Sequence, residues 1–310
     1  MNALNTAVPN DTRPVAGVLW MMVTGFFFVG VTAVVKHMGD AVPAAQSAFL
    51  RYLLGLVFLL PMLPAMWRAQ LDRRDLSLFG IRGLVHSFGV LLWFFAMTRI
   101  SLAEVTAMNY LVPVFATLGA TLFLGEKLRL RRIMAVAAAI VGALIILRPG
   151  VREISPGHIA MMGTAIFFAV SYIIAKRMTG HASPAVVVGM LSITVTIGLA
   201  PFAWAVWVPV TVEQIAWLFL VAFFATTGHY TMTLAFAAAP IGVTQPVTAL
   251  QLVWAVALGA MFFGEPVDPH VVLGGSVIVS AVIFIALREQ AVRRAEARQE
   301  PTPIVPREGV

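Results

Sequence analysis

Apolar residues run through this chain in long stretches, and short segments between them hold nearly all the charge. Val15 to Val35 is uncharged, Ala44 to Trp67 holds only Arg51, and Leu76 to Met97 holds only Arg82. Val105 to Leu124 follows without a charge, then Ile133 to Leu147, a shorter run that can borrow a turn from the basic segment before it. The pattern resumes with Gly157 to Ala175, Pro184 to Val206, Gln214 to Phe236, Ile241 to Phe263 and His270 to Leu287. A helix crosses the hydrocarbon of a bilayer with ~20 mostly apolar residues, so the pattern predicts ten spans. The eighth and ninth are divided at Ala239-Pro240, where a proline without an amide hydrogen favours a turn.

The second half repeats the first. Gly17 to Met38 aligns without a gap on Gly157 to Met178, sharing Thr24/Thr164, Phe28/Phe168, Lys36/Lys176 and Met38/Met178 among others. Leu118 to Glu126 likewise matches Ala257 to Glu265, each closing on Gly-Glu. An odd number of spans per copy turns the second copy upside down. The expected fold is therefore an all-α integral membrane protein whose ten transmembrane helices form two inverted five-helix repeats, with a binding site between them at mid-bilayer. The expected organisation is a tail over 1–14, repeats over 15–148 and 149–287, and a basic tail over 288–310.

Charge sets the orientation. With the amino terminus inside, the cytoplasmic side receives Arg13, Arg68, Arg73, Arg74, Arg82, Lys127, Arg129, Arg131, Arg132, Lys176, Arg177, Arg288, Arg293, Arg294, Arg298 and Arg307. The outside receives only Lys36, Arg99, Arg148 and Arg152, and the positive-inside rule then places both termini in the cytoplasm of a bacterial-type inner membrane. The repeat agrees, because Gly125-Glu126 precedes Lys127, Arg129, Arg131 and Arg132, whereas Gly264-Glu265 precedes Pro266, Val267, Asp268 and Pro269.

Composition supports the same class. Hydrophobic residues make up 60% and charged residues 11%, with a mean hydropathy of +0.92, whereas soluble domains carry ~25% charged residues. The net charge of +7 sits in the short clusters that orient spans, so lipid rather than nucleic acid is the expected surface partner. The chain has no cysteine, which excludes disulfides and thiolate metal sites. Met1 to Arg13 lacks the basic region and cleavage site of a removed signal, so the first span is expected to remain. His-Glu-x-x-His, Gly-x-Ser-x-Gly and Walker patterns are absent, and neither catalysis, metal nor cofactor is expected.

Phe49-Leu50-Arg51, Ser101 with Ala103, Ala107, Leu111 and Pro113, Leu124-Gly125-Glu126, and Leu250 to Trp254 leading into Phe263-Gly264-Glu265 resemble the EamA family of the drug/metabolite transporter superfamily. Within it the chain is similar to YddG-type exporters of aromatic amino acids. The resemblance implies a central cavity lined by spans 1, 3, 4, 6, 8 and 9 and efflux of small metabolites by alternating access.

Polar residues inside the spans are the candidate pathway, since such side chains normally turn away from lipid. Arg82, His86, Gly89 and Trp93 share one helical face. His86 reads either as an interhelical hydrogen bond or as a cavity wall, and Asn109 and Tyr110 at similar depth favour the wall. His229 and Tyr230 in the eighth span, Gln245, Gln251 and Trp254 in the ninth and Tyr172 in the sixth complete the set. Thr24, Phe28 and Thr32 are expected to face Thr164, Phe168 and Tyr172. Arg51 reads as an anchor for a substrate anion or as a packing arginine, and the resemblance favours packing. Glu126 and Glu265 are expected to cap and bridge near gates, Pro113 and Pro246 to break their helices, and His86, His229 and Glu104 are the candidates for proton coupling. Spans 5 and 10 hold no binding chemistry. They read as buttresses or, through Gly142, Gly274 and Gly275, as the contact of a homodimer. The aromatic faces point to neutral, bulky amino acids as the small-molecule cargo.

Overall fold

The computed structural model describes residues 13–124, 130–151, 153–178, 182–239 and 241–299. Its helices are α1 (Pro14–Met38), α2 (Ala44–Gly55), α3 (Leu63–Arg68), α4 (Arg73–Met97), α5 (Leu102–Asn109), α6 (Leu111–Leu124) and α7 (Leu130–Leu147). The second half adds α8 (Pro156–Met178), α9 (Pro184–Ala205), α10 (Val212–Ala238), α11 (Ile241–Thr244), α12 (Leu250–Phe263) and α13 (Pro269–Gln299). Tight 3-10 segments join α2 to α3 over Leu56–Met62 and α11 to α12 over Gln245–Ala249. Among the described residues eight helical stretches are long and apolar enough to cross a bilayer, and Ile133–Leu147 and Val247–Phe263 are shorter apolar helices.

The helix ends follow the residues that supply hydrogen bonds to free backbone groups. Asp72 with Asp75, Ser101 with Glu104, and Thr211 with Gln214 form reciprocal capping boxes at the starts of α4, α5 and α10. Gly264 ends α12 with φ +62, a left-handed turn that a residue with a Cβ enters at a cost. Trp67, Trp204 and Trp207 are exposed near span ends, where the indole of a membrane protein meets the headgroup region.

Three of the predicted spans are interrupted rather than continuous. The fourth turns at Tyr110, three residues before Pro113, whose missing N–H leaves the Asn109 carbonyl without its helical donor. The ninth is broken by the 3-10 segment that contains Pro246. The second is also interrupted, at the 3-10 segment holding Pro61, whereas Pro201 sits inside an unbroken α9.

Packing is reciprocal between the halves. Helix α1 packs against α10, and α8 packs against α4; α1 also meets α12, and α8 meets α6; α2 lies on α9, and α7 on α13. Thr24 and Thr231 share a 2.9 Å hydrogen bond, while Thr164 donates to the Gly89 carbonyl at 3.3 Å. These contacts correct the expected pairing of Thr24, Phe28 and Thr32 with Thr164, Phe168 and Tyr172: the first span faces the eighth and the sixth faces the third. Gly142 and Gly274 oppose each other, and a Cβ at Gly142 would stand 2.7 Å from the Gly274 carbonyl oxygen. Gly275 is covered by Leu252 and Ala107. All three glycines thus have close neighbours within the chain.

Candidate functional site

The face predicted on the third span assembles a deep polar cluster. Arg82 and His86 are buried, at 6% and 8% exposure, and Gly89 lies directly beneath the Phe168 ring. Without a Cβ at Gly89, Phe168 can stack on His86, with ring centroids 4.6 Å apart, and meet Trp93 edge-on at 6.2 Å. His86 Nδ1 and Ser171 Oγ are hydrogen-bonded at 3.1 Å. Arg82 donates to the Val187 carbonyl at 3.3 Å, and Phe28 meets the His229 ring at 5.0 Å.

Arg51 joins this cluster from α2. Its guanidinium lies over the Tyr52 ring at 4.0 Å, is within electrostatic reach of His86 and His229, and leaves Nε without a partner among the described residues. The carbonyl bonds that would mark a packing arginine are not among the hydrogen bonds of the described residues. Tyr172 is 48% exposed and within electrostatic reach of Tyr52 and Arg82. Tyr52 and Ser171 escaped the sequence reading. The signal for Tyr52 was its place beside Arg51.

Further residues distribute differently. Trp93 Nε1, Trp254 Nε1 and Asn109 Oδ1 are buried atoms without a hydrogen-bond partner among the described residues. Trp254 packs edge-on against Phe26, and Gln251 fills the space over Gly25. The Tyr110 hydroxyl donates to the Thr248 carbonyl at 2.5 Å, tying the break in one half to the break in the other. Tyr230 does not join the cluster. It is 64% exposed, in helical register with the exposed Phe219 and Phe223. The side chains of Gln245 and Pro246, and the whole of Glu126, lie outside the described residues.

The end of the bundle where α1 finishes and α13 begins is stitched shut between the halves. Lys36 Nζ lies 2.5 Å from Glu265 Oε1 and donates to the Ile100 carbonyl at 2.7 Å. The Leu102 amide donates to Glu265 Oε2 at 3.0 Å, so the glutamate also serves the open N-terminus of α5. His158 receives the Ser155 amide on Nδ1 at 3.1 Å, which assigns the proton to Nε2 and lets that nitrogen donate to Glu104 Oε1 at 3.1 Å. Glu104 Oε2 is held by the Ser101 amide and hydroxyl. Arg148 pairs with Asp268, and Gln46 exchanges two hydrogen bonds with the Val208 backbone. Burial pushes the Asp268 carboxyl up, but hydrogen bonds from the His270 amide and ring, with Arg148 nearby, outweigh it and hold the group below the usual carboxylate range. Glu265 thus contacts both Lys36 and the Leu102 amide. Lys36 and His158 were missed because neither stands out until the halves meet.

Among the described residues no group of three His, Cys, Asp or Glu side chains could hold a metal ion. The polar cluster brings cationic, imidazole and aromatic side chains of both repeats together. Residues 15–148 and 155–287 each match the EamA-like transporter family. The chain belongs to that family. It is a multi-pass membrane protein, and its relatives are carriers of small molecules rather than enzymes. A riboflavin transporter of Rhizobium johnstonii is 32% identical over 304 residues, which cover 96% of this chain and 99% of that protein. The pseudopaline exporter CntI of Pseudomonas aeruginosa is 24% identical, covering 87% and 96%. The S-adenosylmethionine uptake transporter of Rickettsia prowazekii is 23% identical, covering 82% and 87%. A crystal structure at 17% identity aligns over 91% of this chain with a TM-score of 0.56, and shares the fold alone. The EamA-like assignment leaves the cargo open, because these three relatives name three different ones.

Proposed function

We propose that this EamA-like protein is a secondary carrier of a small, ring-bearing metabolite. It works by alternating access between two antiparallel five-span repeats, ten spans in all, with both termini in the cytoplasm. The observation that carries the reading is the contrast between the two regions described above. One end is closed by polar links that each join one repeat to the other, while deep inside lie stacked rings and buried donors unpaired among the described residues. Reciprocal packing of α1 on α10 and α8 on α4 supports the inverted arrangement, since exchanging the repeats exchanges the two pairs. On this reading the closed end faces outside and the conformation is outward-closed.

Riboflavin is the first cargo to try, because two relatives bear that name and a planar ring suits Phe168, Trp93 and Trp254. Aromatic amino acids fit the same rings, but the cargoes named by the three relatives above lend them no support. Counterflow tests the proposal. Purified protein in liposomes preloaded with unlabelled riboflavin should accumulate labelled riboflavin transiently and saturably. Parallel vesicles loaded with S-adenosylmethionine, tryptophan or phenylalanine assign the cargo. A pore equilibrates label without overshoot, and that result across the panel would end the carrier reading.

A further inference from the structure

None of the ten apolar runs contains an Asp or a Glu. Two of them contain an arginine, and both arginines converge on the same interior: Arg51 and Arg82 are 9% and 6% exposed, and both act electrostatically on His86. Their Nε atoms have no hydrogen-bond partner among the described residues. A buried guanidinium is normally held by a carboxylate or a set of carbonyls. Here Arg82 has the Val187 carbonyl, and Arg51 has the face of Tyr52. Every described carboxylate that is hydrogen-bonded belongs instead to a span end, as with Glu104, Glu265 and Asp268.

We infer that the cargo supplies the missing counter-charge: the site between α2, α4 and α10 takes a metabolite bearing a carboxylate or phosphate group, which docks on the fork of Arg51 with Arg82 beside it. The aromatic rings hold the rest of the molecule. This rests on the carrier reading and narrows it to acidic cargo. An arginine fork matches a two-oxygen anion in a way that lysine does not, so the two substitutions at this position separate charge from geometry.

The test is thermal-shift titration of the purified full-length protein with two pairs of probes that differ by the acid group: riboflavin against its 5′-phosphate, and tryptamine against tryptophan. In at least one pair the acidic member should bind at least about tenfold more tightly. Arg51→Gln should abolish the preference and Arg51→Lys should weaken it. Because the arginine is uncompensated without cargo, ligand-free Arg51→Gln should melt within about 2 °C of the native protein or above it. The inference is overturned if the two members without the acid group bind as tightly as the acids, if neither acid binds, if Arg51→Gln keeps the preference, or if that variant melts more than about 5 °C lower, which makes Arg51 a packing residue. Counterflow without acid preference sinks this inference and spares the carrier reading. Acid preference without counterflow of any probe does the reverse.

Discussion

Lys36 and Glu265 meet at 2.5 Å across the boundary between the two repeats, and Glu265 at the same time accepts the amide of Leu102 at the start of α5. One carboxylate thereby joins the end of the first span, the start of the fourth and the end of the ninth.

Breaking that pair should open the end it closes. Lys36→Met leaves a mostly buried carboxylate without its cation, and removing one member of a buried pair costs about 3–5 kcal/mol, less here because both side chains keep some exposure. The expected outcome is at least tenfold slower counterflow and increased labelling of a cysteine placed at Ala103 by a membrane-impermeant reagent. The exchange Lys36→Glu with Glu265→Lys should recover part of both, and labelling unchanged in Lys36→Met would exclude a gate at this pair.

Tyr110→Phe removes one hydroxyl and no volume to speak of. The Thr248 carbonyl then loses the tyrosine donor at the point where both broken spans touch, at a cost of about 1–2 kcal/mol. Melting should fall by a few degrees with binding retained, since the ring remains. A lower transport rate at unchanged affinity would identify the contact as part of the moving hinge.

Gly142 and Gly274 pack so closely that a single methyl must displace backbone. Gly142→Leu should therefore destabilise the protein by about 1–3 kcal/mol or more through overpacking, visible as a lower melting temperature and poor yield. Substituting the exposed Ile140 on the same helix to Leu should change neither.

Acid should loosen the seal through Asp268. Its carboxyl titrates below the usual range in the folded chain, so the stability it contributes is complete above about pH 3.9, the unfolded value, and is lost as pH falls through the lower folded value. Melting curves taken down a pH series should drop in that acidic window. Asp268→Asn should melt lower at neutral pH and show a shallower fall, and identical slopes in the two proteins would remove Asp268 from the seal.

How much of this could be read beforehand depends on the physics behind each feature. The face of Arg82, His86, Gly89 and Trp93 was readable because helical periodicity alone puts these residues together. Their neighbours were not: that Gly89 admits Phe168, and that His86 finds Ser171, depends on which helix arrives opposite. The exposure of Tyr230 could not be read either, because it depends on the rotation of its helix, which turns Phe219 and Phe223 outward as well. For Arg51 the sequence left an anchor and a packing role open, and what it touches, the Tyr52 ring, depends on how its own helix is turned.

Spans and their order were written in composition, because water and hydrocarbon differ so strongly that ~20 apolar residues leave few other places to go. The partner of each helix was not written there. Inside lipid every apolar face is equally at home, so the meeting of α1 with α10 and of α4 with α8 rests on close fit at small residues and on a few hydrogen bonds. The same three-dimensional fit brings Lys36 to Glu265, 229 positions apart in numbering, and leaves Arg51 and Arg82 together without an acid.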